Sequence, residues 1–279
     1  MGVIAGAGAL PRLVAEALRR RGEAAFVVAL RGAAEPWVAD WPHAWAALAQ
    51  GGRIFRALRG AGCRQVCLAG AVSRPGVLAA IPDVATLAMA PRLLRLLRSG
   101  GDDGLLRAVA GIFEQRGFEL TPAHAYLEDL LAPEGVLGAR RPAARDLDDL
   151  RRARRIVAAL GAVDVGQGAV VAAGRCLAVE AVSGTDAMLA KLVGETRRGG
   201  APTPAGVLFK APKPGQDRRF DMPAIGPTTL EGAKAAGLNG VAVEAGGVFL
   251  LDPARTVAAA DRLGLFLYGA PKGAEEEAA

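Results

Sequence analysis

Short apolar runs alternate with glycine turns and helical stretches in the N-terminal part of the chain, and this rhythm restricts the fold more than any other feature. Residues 3–5 read as a buried strand, Gly6-Ala7-Gly8 as a tight turn, and Pro11 as first-turn residue of a helix to about residue 21. Proline is tolerated there because the first helical N–H groups have no intrahelical acceptor. Residues 25–30 form a second expected strand. Residues 52–60 form a helix with Ile54, Ala57 and Leu58 on one face, and 65–69 a third strand that stops at Gly70. Such alternation predicts an open α/β sheet with parallel strands. Helices over 91–98 and 103–116 and a strand at 118–120 complete this half.

Near residues 133–142 the pattern breaks into Gly, Pro and Arg, which places a linker at about 136–142. It divides a first domain, 1–135, from a second, 143–279. The second domain opens with a basic amphipathic helix at 146–160. A hairpin follows at 169–173 and 176–180, then a helix at 185–193 and a strand at 207–210. A helix at 228–236, a second hairpin at 241–244 and 248–251 around Gly246 and Gly247, a helix at 253–263 and a strand at 265–268 end the pattern. Hairpins mixed with helices predict a separate α+β domain. The tail GAEEEAA, residues 273–279, reads as frayed.

A hydrophobic fraction of 52% supplies ample core, yet no uninterrupted apolar stretch is long enough for a spanning helix. The start, MGVIAGAGALP, lacks the basic n-region of a secretory signal. Cys63, Cys67 and Cys176 make no CxxC pair, as expected of reduced thiols in a cytoplasmic protein. His43 and His124 lack metal-ligand spacing, which argues against zinc. The net charge of +6 suits anionic partners, whereas 5% aromatics and no recognition motif argue against nucleic acid.

The densest chemistry lies in KAPKPGQDRRFDMPAIGPTT, residues 210–229. Lys210 and Lys213 can hold phosphate oxygens. Asp217 and Asp221 can hold a hard divalent cation or take a proton from water. Pro212, Pro214 and Pro223 fix backbone angles and exclude a regular helix. A charged solvated loop is the plain alternative.

Gly6, Gly8 and Ala9 form a turn between strand and helix where backbone N–H groups can cradle a pyrophosphate. A nicotinamide fingerprint would put its third glycine at position 11, which is proline, and an acid after the second strand, where Arg31 follows Leu30. Arg31 keeps a 2′-phosphorylated cofactor as an alternative. Gly70, Ser73 and Arg74 sit where the third strand ends, the usual ligand position in open α/β sheets. Helix capping accounts for one carboxylate of Asp102 and Asp103, with contact to a ribose or a cation as the alternative. In the second domain, the loops 164–168 and 183–186 offer Gln167, Thr185 and Asp186, with Thr185 also a plausible helix N-cap. The arginines at 92, 95 and 98 read as the polar face of an amphipathic core helix, with an interfacial membrane helix as the alternative, and those at 151, 152, 154 and 155 as a solvated face.

Taken in order, IAGAGALP, AGAVSRP, GDDGLLRAV, DVGQGAVV, AVSGTDAML and KAPKPGQDRRFDMPAIG resemble the LpxI-type UDP-2,3-diacylglucosamine pyrophosphatases of lipid A synthesis, from residue 3 to about 268. The resemblance implies a Rossmann-like N-terminal domain, a distinct C-terminal domain and substrate held between them. It implies Mg²⁺-dependent hydrolysis of UDP-2,3-diacylglucosamine to UMP and 2,3-diacylglucosamine 1-phosphate (lipid X), with Asp221 at the position of the essential aspartate. Ala7 departs from a family turn of three glycines, and Val165 from an isoleucine.

The combined expectation assigns Asp221, Lys210 and Lys213 to catalysis and Asp221 with Asp217 to Mg²⁺, with Mn²⁺ as a substitute. Gly6, Gly8, Ala9, Gly70, Ser73, Arg74, Gln167, Thr185 and Asp186 are assigned to substrate binding. Peripheral contact with an anionic membrane on its cytoplasmic face is expected, and a homodimer stays open. The rivals are a non-catalytic nucleotide-sugar or lipid-binding module and an NADP-dependent reductase.

Overall fold

The structure is a computed structural model and describes residues 1–72, 102–197 and 205–273. The chain forms two compact units, residues 1–128 with 217–221, and residues 129–216 with 222–279. The expected helix at 91–98 and the C-terminal tail from residue 274 lie outside the described residues.

The first unit runs β1 (Gly2–Ala5), α1 (Leu10–Arg20), β2 (Phe26–Leu30), β3 (His43–Ala46), α2 (Gly51–Gly60), β4 (Gln65–Ala69), α3 (Asp102–Gln115) and β5 (Glu119–Leu120). Its sheet has the order β3-β2-β1-β4-β5, with every pairing parallel. The chain therefore winds outward in one direction from β1 through β2 to β3, then in the other through β4. Alternate residues of β2 face opposite cores, as strand periodicity requires. Val28 and Leu30 join Ile54, Phe55, Leu58 and Phe113, while Val27 and Ala29 join Val38. Phe55, Phe113 and Phe118 pack with ring centroids 5.0–6.1 Å apart. Burying a side chain of this size contributes about 1.5–3 kcal/mol.

The second unit adds β6 (Gly135–Val136), α4 (Ala144–Ala162), β7 (Gly168–Ala172), β8 (Arg175–Val179), α5 (Gly184–Arg197), β9 (Val207–Lys210), β10 (Ala224–Ile225), α6 (Pro227–Ala235), β11 (Gly240–Glu244), β12 (Phe249–Leu250), α7 (Pro253–Leu263) and β13 (Phe266–Ala270). Its main sheet is mixed, in the order β6-β13-β11-β9-β7-β8. β9, β11 and β13 run parallel, while β7 and β6 pair antiparallel to their neighbours. Leu150, Ala153 and Val157 of α4 cover one face through Ala169, Val171, Val207 and Phe209. Leu189, Leu230 and Ala260 of α5, α6 and α7 cover the other through Val170, Leu208, Val241 and Val243.

The hairpin expected at 169–180 forms, with β7 antiparallel to β8. The one expected at 241–251 does not. β11 is a buried interior strand between β9 and β13, and β12 pairs with β10 in a separate two-stranded ribbon. The apolar run of β11 suits a strand covered on both faces, so its partners are distant in sequence.

Candidate functional site

In the first unit, strand order reverses between β1 and β4, which is the topological switch point where open α/β sheets bind ligands. The two loops leaving these strands are joined by backbone hydrogen bonds. Gly6 N–H donates to Ala69 O at 2.8 Å, and Ala7 and Ala71 exchange N–H···O bonds of 2.8 and 3.0 Å. This approach explains two of the glycines. A Cβ on Gly6 would lie 2.6 Å from Ala71 O, and one on Gly70 would lie 2.6 Å from Ala7 O. Gly70 also has φ +87°, and Gly8 has φ +90°. Ala7 is not among the residues of positive φ, so alanine replaces the family's glycine there without backbone strain. Ala9 is the exposed N-cap of α1, with Pro11 behind it. Gly6, Gly8, Ala9 and Gly70 are thus brought together, whereas Ser73 and Arg74 lie outside the described residues.

In the second unit, Lys210 ends the buried strand β9 with its side chain 8% exposed. Its Nζ donates to Thr185 Oγ1 at 2.6 Å and lies 3.6 Å from Glu180 Oε2, and the Thr185 hydroxyl donates to that same oxygen at 3.0 Å. Thr185 therefore spends its hydroxyl on this cluster rather than on capping α5. Lys213 pairs through Nζ with Asp164 Oδ1. Asp164 holds φ +55° just past the end of α4, a left-handed turn that Asp tolerates better than most residues. Gln167 carries its carbonyl to Ala211 N–H at 3.1 Å, while its side-chain Oε1 is buried without a hydrogen-bond partner among the described residues. Asp186 is exposed in the first turn of α5.

Asp217 to Asp221 belong with the first unit, although the chain on either side belongs to the second. Phe220 packs against the core that holds Phe55 and Phe113. Arg219 binds Asp217 through Nη2 (2.7 Å) and Nε (3.0 Å), and also reaches Glu114 Oε1 through Nη1 at 2.9 Å. The side-chain hydrogen bond from Arg219 holds the Asp217 carboxyl below its ordinary pKa and raises the Arg219 guanidinium. Asp221, half-buried, follows Phe220 and precedes Met222.

Sequence reasoning missed Glu180 altogether, together with the roles of Asp164, Arg219 and Glu114 as partners. A signal for Glu180 was present in DVGQG. A Cβ at Gly168 would lie 2.6 Å from Glu180 Oε2, and one at Gly166 would overlap the Glu180 backbone. These glycines clear the niche in which the carboxylate sits.

Among the described residues no group of three or more His, Cys, Asp or Glu side chains stands together as a metal site. Cys63, Cys67 and Cys176 are free thiols, and burial pushes Cys67 up to about 12. None of the described helices is long and apolar enough to cross a membrane.

A switch-point glycine loop in one unit and a buried lysine cluster in the other belong to a two-unit α/β protein. Comparison with known proteins narrows the class. The LpxI N-terminal domain model matches residues 1–130 and the LpxI C-terminal domain model matches residues 133–268, so the chain belongs to the LpxI family. It is 44% identical over 271 residues to the UDP-2,3-diacylglucosamine pyrophosphatase LpxI of Caulobacter vibrioides, covering 96% of each chain.

Proposed function

We propose that this protein is a hydrolase that cleaves the pyrophosphate of UDP-2,3-diacylglucosamine with water, releasing UMP and 2,3-diacylglucosamine 1-phosphate for lipid A synthesis. The observation that carries this reading is the 44% identity over 96% of both chains to a relative named for that activity. The local geometry supplies suitable chemistry. Lys210 presents an ammonium from a largely dry position, where charge acts more strongly on a phosphate oxygen than it would in water. Backbone N–H groups at the start of α1 can hold phosphate oxygens.

Asp221 is the residue we assign to orient the attacking water. Mg²⁺ is the cofactor we assign, and when bound it neutralises pyrophosphate charge. Mg²⁺ commonly takes one or two carboxylates with substrate phosphates and water, so a single Asp221 carboxylate fits it. The Asp217 carboxylate, whose two oxygens accept from Arg219, is the second carboxylate we assign to it. The diacylated substrate and the net charge of +6 support peripheral contact with the cytoplasmic face of an anionic membrane. The test is UMP release by the purified protein from UDP-2,3-diacylglucosamine in mixed micelles. Absence of UMP with Mg²⁺ supplied would overturn the assignment.

A further inference from the structure

We propose that Glu180 is a positioning residue for the hydrolysis, holding the Lys210 ammonium in place through the Thr185 hydroxyl. The proposal rests on the reading of Lys210 as a group that contacts substrate phosphate.

Three observations carry it. First, the contact is ordered as a chain. Lys210 Nζ donates to Thr185 Oγ1 at 2.6 Å, Thr185 donates to Glu180 Oε2 at 3.0 Å, and the two charges stand 3.6 Å apart. Thr185 occupies the near position that a direct Lys–Glu hydrogen bond would take. Second, among the described residues Nζ makes one hydrogen bond, and an ammonium has three donors. The remaining donors can go to oxygens of a ligand while Thr185 fixes the head group. Third, the fold makes room for this arrangement at some cost. Gly166 and Gly168 must lack side chains for Glu180 to fit, and Glu180 and Lys210 side chains are each 8% exposed. A buried ion pair is seldom more stabilising than a well-packed apolar pair, so stability alone is a weak reason to build one. Placing a charged donor where the reacting phosphate sits is a sufficient reason, since small misplacements of such groups slow reactions strongly. In this proposal Glu180 acts through Lys210 rather than on the substrate.

The experiment compares kcat and KM for wild type, Glu180→Gln, Lys210→Met and the double variant, with thermal melting to confirm folding. Glu180→Gln keeps an acceptor for Thr185 and removes the charge. We expect it to lower kcat about 100-fold, the scale of a displaced catalytic group, with a smaller change in KM. Because Glu180 acts through Lys210, the double variant should be no slower than Lys210→Met alone. If Lys210→Met turns over like wild type, the reading of Lys210 fails. If Lys210→Met is slow while Glu180→Gln matches wild type, the role of Glu180 alone fails. Independent multiplication of the two losses would also overturn it. Should Glu180→Gln not fold, Thr185→Val and Thr185→Ser decide. The valine should lose kcat and the serine should recover most of it, whereas equal rates for the two would refute the relay.

Discussion

Arg219 closes on Asp217 with both side chain and main chain. Nη2 lies 2.7 Å from Oδ2, Nε lies 3.0 Å from Oδ1, and the Arg219 backbone N–H reaches the same Oδ1 at 3.1 Å. A fork of this kind fixes the plane of the carboxylate as well as its charge. It also ties Asp217 to Arg219, the residue just before Phe220, which packs into the aromatic core of the first unit.

The fork has a pH signature. The Asp217 carboxyl is lowered below its usual value, chiefly by the Arg219 hydrogen bond. Its stabilisation is fully present above the unfolded carboxyl value of about 4 and is lost as pH falls through the lower folded value. Asp217→Asn should therefore be less stable than wild type at pH 7, by about 1 kcal/mol for a partly exposed pair. The difference should shrink as pH falls from 5 towards 2. Urea melts of both proteins across that range check this. A constant difference would show that the charge is not the cause.

The switch-point glycines predict a contrast between two alanine substitutions. Gly70 has φ +87° and no room for a Cβ, which would lie 2.6 Å from Ala7 O. Gly62 has φ +69° and no atom within 4 Å of such a Cβ. Gly62→Ala should lose about 1 kcal/mol from its left-handed backbone alone. Gly70→Ala should lose more, about 2–4 kcal/mol, because the β1 and β4 loops must also part. Thermal melting of the two variants measures the gap.

Much of this was legible in local sequence. The turns at Gly6, Gly8 and Gly70 could be read because positive φ and close backbone approach select glycine. The strand β9 and helix α7 were legible from apolar runs bounded by charged or proline residues. β3 was not, because His43-Ala44-Trp45-Ala46 is too short and mixed to show a period. Nor was the placement of β11, since Gly246-Gly247 looks like a hairpin turn. Strand partners are chosen by burial across the whole sheet, and β11 found Val207–Lys210 and Phe266–Ala270. The same limit hid Glu180. It lies 30 residues before Lys210, and only the fold makes them neighbours.

Chelation should abolish hydrolysis, and Mg²⁺ or Mn²⁺ should restore it. An oxygen donor set suits a hard cation. Turnover with excess EDTA, then with each metal added back, gives the result. Full rate in EDTA would remove the metal from the scheme and leave charge neutralisation to Lys210 and Lys213.

Binding to anionic vesicles should be weak and sensitive to salt. Basic groups near such a surface contribute about 1 kcal/mol each, and screening shortens their reach to about 10 Å at 0.1 M salt. The surplus of +6 makes the effect measurable by flotation at low and high salt. No flotation at low salt would refute it.

Asp221→Ala should lose nearly all hydrolysis and keep substrate binding. Phe220 before it packs into the aromatic core, and the carbonyl of Pro223 after it accepts from Phe249 N–H at 2.9 Å. Proline also restricts Met222 to extended backbone. The carboxylate therefore sits on chain anchored at both sides, as a group that must meet a water or a cation requires. An interaction made mainly in the transition state lowers kcat far more than affinity when removed. Loss of a general base costs about 10²–10⁴-fold, and loss of metal placement would add to this. Asp217→Ala should be milder, since its removal loosens the loop that Arg219 holds without removing the reacting group. Single-turnover rates for both variants, with substrate affinity measured separately, separate these roles. Wild-type turnover by purified, folded Asp221→Ala would exclude Asp221 from the chemistry.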